Sequence, residues 1–249
     1  MKVISLNTWG GKAGKEELLD FFRRNKDVDV FCLQEIWSGG EDEVSEWGEG
    51  IDTQILTSIQ NVLPDHVAFF RPYYQDWFGQ AIFIKKNIKI LEEGDVFVYK
   101  DREYAFNIVH KDSSNHARNI QYVNIETEHG PRTIINFHGL WNGGGKGDAP
   151  ERLTQSDNII KFIKELKNSH MLVGDFNLLP DTKSLKMLEE SGMRNLIKEF
   201  GITSTRSSYY TKPLRFADYT LISDGIKVND FQVLPDEVSD HLAMYLDFE

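Results

Sequence analysis

Residues 132–177, RTIINFHGLWNGGGKGDAPERLTQSDNIIKFIKELKNSHMLVGDFN, carry the pattern that decides the fold. They read as an apolar strand ending at His138, a glycine-rich loop, a helix over 149–167 and a second apolar strand running out into Asp175 and Asn177. Asp148 is placed to N-cap the helix and Pro150 is tolerated in its first turn. The loop, with Gly143 to Gly145, either cradles a phosphate or is only a flexible turn.

The same grammar recurs outward from this stretch. Strand-like runs are expected at 3–7, 28–34, 67–70, 80–86, 90–99, 119–127, 132–139, 170–177, 218–223 and 241–248. Helices are expected at 14–25, 53–63 and 182–192, the last with Asp181 or Thr182 as cap and Gly192 as stop. Many strands with a few interposed helices predict an α/β chain of two packed sheets flanked by helices, in one domain spanning 1–249. There is no low-complexity tract, no proline-rich linker and no solenoid-like repeat.

At 249 residues the chain can bury a sizeable core. No apolar run approaches the roughly 18 to 20 residues that a membrane helix needs, so stable membrane insertion is not expected. The single cysteine, Cys32, lies in the apolar stretch VDVFCL and reads as a buried core thiol. A cytoplasmic monomer is the simplest expectation. The net charge of −11 argues against a general polyanion binder, because non-specific affinity for DNA comes from Lys and Arg neutralising phosphates. Clustered carboxylates, by contrast, suit a hard divalent cation that inverts the local field.

The polar residues of interest stand at strand ends. Asn7 follows VISL, Glu35 follows FCLQ, His138 follows TIINF, Asp175 and Asn177 follow MLVG, Asp218 follows RFA, and Asp240 and His241 lie between VS and LAMYL. Any one of these reads as a turn former or a satisfied hydrogen-bonding residue, but the repetition over five or six strands asks for a chemical reason. Mg²⁺ takes oxygen ligands and keeps several waters, so one or two carboxylates with an amide suffice. No His/Cys set has zinc spacing. Cleavage of a phosphate ester needs an activated water, a cation on the phosphoryl oxygens and donors for the developing charge, and Asp, Asn and His suit these tasks.

The blocks SLNTWG, CLQE, HGLW, GDFN, ADYTLIS and SDH occur in an order and spacing that resembles the endonuclease/exonuclease/phosphatase superfamily, from residue 3 to the C-terminus. The resemblance implies a four-layer α/β/β/α sandwich with its site at strand ends between two sheets, and a Mg²⁺- or Mn²⁺-dependent phosphoric ester hydrolase. It implies that Glu35, Asn7 and Asp240 belong to the metal shell and that His241 contacts the scissile phosphate, oriented by Asp218. Asp175 and Asn177 would position the attacking water and bind the phosphate. Whether Asp175 or His241 is the base stays open. His138 matches a second histidine of the deoxyribonuclease and sphingomyelinase branches, a block that the apurinic endonucleases lack.

Several stretches bear on the substrate. Lys146 and Arg152, at the glycine-rich loop, could reach a phosphate; the alternative is a solvated loop with Arg152 in a structural ion pair. EIWSGGEDEVSEWGEGIDTQ (35–54) holds seven acids and no base, and at a cleft rim would repel a long duplex. TSTRSSYYTKPLRFA (203–217) interleaves Arg206, Lys212 and Arg215 with aromatics and ends at Asp218, which suits a base and a phosphate; equally, its aromatics could be the core face of a strand. Trp9, Trp37 and Trp141 each follow a site block and either wall the pocket or pack between layers. No hydrophobic hairpin suggests bilayer contact, and no lysine cluster is evident for a polyphosphorylated ring. A phosphodiesterase on a nucleic acid or nucleotide-like substrate, short or single-stranded, is the first expectation. A phosphatase or phosphodiesterase on a small or lipid-derived ester is the alternative.

Overall fold

The apolar strand runs become two six-stranded sheets in the computed structural model, which describes residues 1–106 and 116–249. The first sheet contains β1 (Lys2–Asn7), β2 (Val30–Trp37), β3 (His66–Tyr74), β4 (Phe78–Lys85), β11 (Val228–Val233) and β12 (Met244–Phe248), in the order β11-β12-β1-β2-β4-β3. The second contains β5 (Ile90–Tyr99), β6 (Arg118–Ile125), β7 (Arg132–His138), β8 (Ser169–Asp175), β9 (Arg194–Asn195) and β10 (Asp218–Ile222), in the order β5-β6-β7-β8-β10-β9. Each sheet has one parallel pair at its centre, β1 with β2 and β7 with β8, and the other pairings are antiparallel. Parallel neighbours need a crossover, which α1 (Lys15–Arg24) supplies in the first sheet and α4 (Pro150–Glu165) in the second.

Side-chain alternation builds the four layers. Val3, Val30, Cys32, Ile82 and Ile84 of the first sheet join Val123, Ile134 and Val173 of the second in one core. The alternate residues Ile4, Leu6, Phe31 and Leu33 pack instead on Leu18, Phe21 and Phe22 of α1 and on Ile55 and Ile59 of α2 (Ile55–Val62). On the far side, Ile159 and Ile163 of α4 and Leu185 and Leu188 of α5 (Lys183–Glu190) cover the second sheet. The result is an α/β/β/α sandwich. Cys32 is fully buried, and burial pushes its thiol pKa up.

Towards the site end the inter-sheet core turns polar. Gln34 Nε2 donates to Asn136 Oδ1 at 2.6 Å, and Asn136 Nδ2 donates to the Leu33 and Ala81 carbonyls at 3.1 and 3.3 Å. Such bonds satisfy only in one registration of sheet on sheet, because a buried amide left unpaired is costly.

Two local expectations differ from the structure. The N-cap of α4 is Ala149, not Asp148. Asp148 reaches across to α5, accepting from the Lys183 and Ser184 amides at 2.8 Å each and from the Ser184 hydroxyl at 2.7 Å. Thr182 holds the cap position of α5 but donates its hydroxyl to the Leu179 carbonyl. The 241–248 run forms a strand only from Met244, leaving 240–243 irregular at the mouth of the site. The strands β9 and β11 and the short helices α3 (Arg102–Phe106) and α6 (Leu196–Glu199) lack the apolar periodicity that sequence reading relies on.

Candidate active site

Registration of the parallel pairs brings the site together. Asn7 lies beside Gln34 and His138 beside Asp175 at the carboxyl ends of their strands, while Asp218 opens β10 opposite Asp175. The close approach of β7 to the following chain is possible only at glycines: a Cβ on Gly139 would sit 2.2 Å from the Phe176 carbonyl oxygen.

Two β-bulges aim further side chains. The β2–β4 register shifts between Gln34 and Ile36, leaving Glu35 between them with φ 55°. The β3–β4 register shifts between Pro72 and Tyr74, leaving Tyr73 out of the ladder. Gly79 of β4 pairs with both Ile36 and Pro72, and a Cβ there would meet the Arg71 carbonyl oxygen at 2.4 Å. Bulges re-aim side chains in this way at the edge of many sites. Asn177 (φ 53°) and Trp9 (φ 52°) share the left-handed backbone of Glu35, a strain that tertiary contacts must hold.

Asp175 is the hub. Its Oδ1 accepts from the Asn177 amide at 2.8 Å and its Oδ2 from Asn7 Nδ2 at 3.0 Å. The same Oδ2 lies 3.5 Å from His241 Nε2 and 3.7 Å from His138 Nε2. Asn7 Nδ2 also donates to Glu35 Oε1 at 3.1 Å. His241 Nδ1 meets Asp218 Oδ1 at 2.7 Å, and the other oxygen of Asp218 accepts from Thr205 Oγ1 at 2.7 Å. Arg206 Nη1 pairs with Asp240 Oδ2 at 2.7 Å, whereas Asp240 Oδ1 is buried without a hydrogen-bond partner.

These contacts set the charges. Burial and Arg206 oppose a charge on His241, but Asp218, Asp240 and Asp175 outweigh them and raise its pKa. Burial disfavours the Asp175 carboxylate, yet His241, His138, Arg206 and Lys146 together hold its pKa below the usual range. Burial, then Asp240, raises the pKa of Glu35. Burial and the Arg118 guanidinium push His138 down to about 3, so its ring is neutral. Tyr73 Oη lies 2.7 Å from His138 Nδ1. With Asp175 and Glu35 facing Nε2 at 3.7 and 4.0 Å, the proton belongs on Nε2 and the phenol donates to Nδ1.

Asp175, Asp218 and His241 offer ligand atoms within 4.8 Å of one another. Asp218 is already committed to His241 and Thr205, however, so this trio reads as a hydrogen-bonded relay. Oxygen donors for a hard cation are better supplied by Glu35 and by Asp240 with its orphaned Oδ1; Asn7 stands beside them, its Nδ2 donating to Glu35 and its Oδ1 accepting from the Trp9 amide at 3.0 Å.

A cavity of about 270 Å³ opens above this floor, lined by Glu35, His138, Asp175, Asn177, Asp240 and His241, with Asn7 and Asp218 behind them. Lys146, Arg206 and Trp141 also line it. Arg152 and Arg215 do not, which corrects the expectation that they reach a phosphate. Arg152 is 2% exposed and donates to the Leu140, Gly145 and Gly147 carbonyls and to Asn142 Oδ1, so it clips the glycine-rich loop into shape rather than pairing with a carboxylate. Arg215 is exposed and donates to the Ser207 and Tyr210 carbonyls, bracing its own loop. The 203–217 stretch is no strand; only Arg206 makes a β-bridge, to His241. All three tryptophans line the cavity, Trp9 and Trp141 half-buried and Trp37 1% exposed and stacked on Trp77 at 4.9 Å. Sequence reading missed Tyr73, Arg118, Thr205 and Lys12. Arg118 Nε donates to the Gly139 carbonyl at 3.1 Å and its guanidinium lies 4.7 Å over the Tyr73 ring, facing the cavity. No local signal distinguishes these four from ordinary strand and loop residues.

Comparison with known proteins shows the family and the fold. The model of the Endonuclease/Exonuclease/phosphatase family matches residues 4–241. No curated protein matches the sequence significantly. Among solved structures, a functionally unknown conserved protein from Enterococcus faecalis V583 superposes with a TM-score of 0.76 at 16% identity, covering 100% of this chain and 99% of that one. A mannosyl-6-phosphatase from Bacteroides thetaiotaomicron VPI-5482 gives 0.75 at 16% identity over 100% and 99%. D. rerio TDP2, complexed with single-strand DNA product, gives 0.70 at 16% identity over 100% and 98%. Matched from its first strand to the histidine of its SDH block, the chain belongs to the endonuclease/exonuclease/phosphatase family and is a phosphoric ester hydrolase.

Proposed function

We propose that the protein hydrolyses a phosphate ester by in-line attack of water, with Mg²⁺ or Mn²⁺ held by Glu35, Asn7 and Asp240. The observation that carries this reading is the Asp218–His241 pair, 2.7 Å apart, turned with its free Nε2 towards Asp175 and Asp240 across one cavity. The cation, when bound, polarises the phosphoryl oxygens. Three carboxylates raise the pKa of His241 and favour its protonated form, which donates to a phosphoryl oxygen and stabilises the charge that develops there. Asp175, anionic and anchored by the Asn177 and Asn7 amides, orients the attacking water and accepts its proton. Neutral His138 presents Nε2–H as a second donor, fixed by Tyr73.

A small or single-stranded ester suits the cavity better than a duplex. Trp47 and Ile51, from the acidic 35–54 stretch, form part of the wall, so that stretch lies beside the mouth. A mannosyl-6-phosphatase and an enzyme bound to a single-strand DNA product share the fold, and either kind of substrate would enter such a cavity. The test is hydrolysis of p-nitrophenyl phosphate and bis-p-nitrophenyl phosphate by metal-stripped protein with Mg²⁺ or Mn²⁺ restored. Activity is expected only with metal and strongly reduced in Glu35→Gln. Full turnover by the stripped protein would refute the metal role, and no turnover of either ester under any condition would refute the reading.

A further inference from the structure

The cavity collects positive charge that its acidic floor does not use. On the floor, Asp218 is paired with His241 and Asp240 with Arg206 through Oδ2 alone, leaving Glu35 and Asp240 Oδ1 for a divalent cation and Asp175 for the attacking water. Lys12, Arg118, Lys146 and Lys212 line the same cavity, and among the described residues none of the four has a carboxylate within ion-pairing distance. Lys12 Nζ donates to the Trp47 carbonyl at 3.0 Å and lies 5.7 Å from the Trp9 ring centre. Lys212 Nζ lies 5.6 Å from the Trp141 ring centre. Lys146 Nζ donates to the Phe216 carbonyl at 3.1 Å and lies 5.1 Å from the Tyr210 ring. In a chain of net charge −11, four cations without an ion-paired carboxylate gathered in one cavity make a local field that favours an anionic ligand.

The four fall into two tiers. Arg118 and Lys146 are 3% and 4% exposed, and each feels the carboxylates of the floor. Lys12 is half-buried and Lys212 exposed, each beside an indole at the wall. One phosphoryl group carries at most two negative charges, fewer than the four cations offer. The inner pair suffices for the phosphate at the floor, which leaves the outer pair unanswered.

We infer that the substrate is a small molecule with a second anionic group besides the scissile phosphate, held by Lys12 and Lys212 while its scaffold lies along Trp9, Trp141 and Tyr210. This rests on the proposed phosphoesterase reading and adds the substrate class. The second group is a phosphate or a carboxylate, since either answers an ammonium.

Glucose 6-phosphate, glucose 1,6-bisphosphate and 6-phosphogluconate differ in whether the phosphorylated hexose carries a second anion and of which kind. Their inhibition constants against p-nitrophenyl phosphate or bis-p-nitrophenyl phosphate turnover measure the subsite whether or not they are themselves cleaved. Tryptophan fluorescence titration of the same three compounds gives the binding ratio independently of turnover, because Trp9 and Trp141 flank the two lysines. At least one doubly anionic compound is expected to bind about tenfold more tightly than glucose 6-phosphate, the scale of one good charge-assisted contact. Tightening by both assigns the subsite to charge alone, and tightening by the bisphosphate alone assigns it to phosphate. In the Lys12→Gln/Lys212→Gln variant the ratio is expected to fall to about one, and Lys12→Arg/Lys212→Arg should retain it. Equal binding of all three by the wild type, or a ratio that survives the glutamine pair, overturns the inference. Loss of turnover on both nitrophenyl esters with the fluorescence ratio intact would instead count against the phosphoesterase reading alone.

Discussion

At the scale of single residues, the site is an arrangement of protons. The imidazole of His241 has its pKa raised because Asp218, Asp240 and Asp175 together exceed the cost of burial and the Arg206 charge, whereas His138, a few ångströms away, is neutral because burial and Arg118 act in the same direction. Removing the charge at Asp218 should therefore act through His241. Asp218→Asn is expected to lower kcat by roughly 10²-fold and to move the alkaline limb of the kcat/KM profile to lower pH, since a raised histidine pKa keeps its proton up to that value and loses it beyond. An unchanged limb would separate Asp218 from His241. Lys146 provides a second pH handle. Burial, then Arg206, draws its pKa down to about 8 against the pull of Asp175, Asp218 and Asp240. Its charge is present below that pH and lost above it, so KM should rise as pH passes about 8. Lys146→Arg, whose guanidinium stays protonated, should remove the rise; a rise that persists in the variant would assign it to another group.

At the scale of elements, irregularities rather than regular strands aim the chemistry. Gly79 stands opposite both the Glu35 bulge and the Tyr73 bulge, with the Arg71 and Pro72 backbone against it. Gly79→Ala should cost roughly 1–3 kcal/mol or more in urea unfolding, as overpacking does, and should reduce kcat without any direct contact to substrate. Retained stability and turnover would show that the bulges are not held by this glycine. The glycine-rich loop is shaped at both ends: Arg152 gathers its carbonyls, and Asp148 caps α5 from a distance. Asp148→Ala strands two backbone amides and should cost about 1 kcal/mol or somewhat more, whereas Asp181→Ala, beside the same helix but outside its cap, should be nearly neutral. Equal losses in thermal unfolding would contradict the assignment of the cap.

At the scale of the molecule, a strongly acidic chain encloses one cationic cavity above an acidic floor. Long polyanions meet repulsion before they reach the cavity cations, while a short ester meets mainly its local field. Cleavage of a short oligonucleotide or small ester should thus show a shallow dependence of kcat/KM on salt, with few counterions released, and duplex DNA should be a poor substrate. Tight, steeply salt-dependent cleavage of duplex would return the enzyme to a deoxyribonuclease-like reading. No helix among the described residues is long and apolar enough to cross a membrane, which agrees with the composition.

Much of this was legible in the chain alone, for a physical reason. Strand period and apolar runs are local properties, so two sheets with flanking helices could be read directly; Asn7, His138, Asp175 and Asp218 stood out because each ends or begins an apolar strand, and Glu35 because it follows the apolar run FCLQ, although β2 continues past it through a bulge. The strands β9 and β11 escaped because edge strands need little apolar alternation. Tertiary structure alone decided what depends on distance between remote segments. It turned Asp148 to a different helix and Arg152 inward onto carbonyls, and it set Tyr73 against His138 through a bulge that no local pattern announces. It also drew Lys12, Arg118, Lys146 and Lys212, separated by up to two hundred positions, into one cavity where the sequence showed no lysine cluster. A charge's partners are set by where the backbone carries it, and its neighbours in the chain say little about which ion it will finally face.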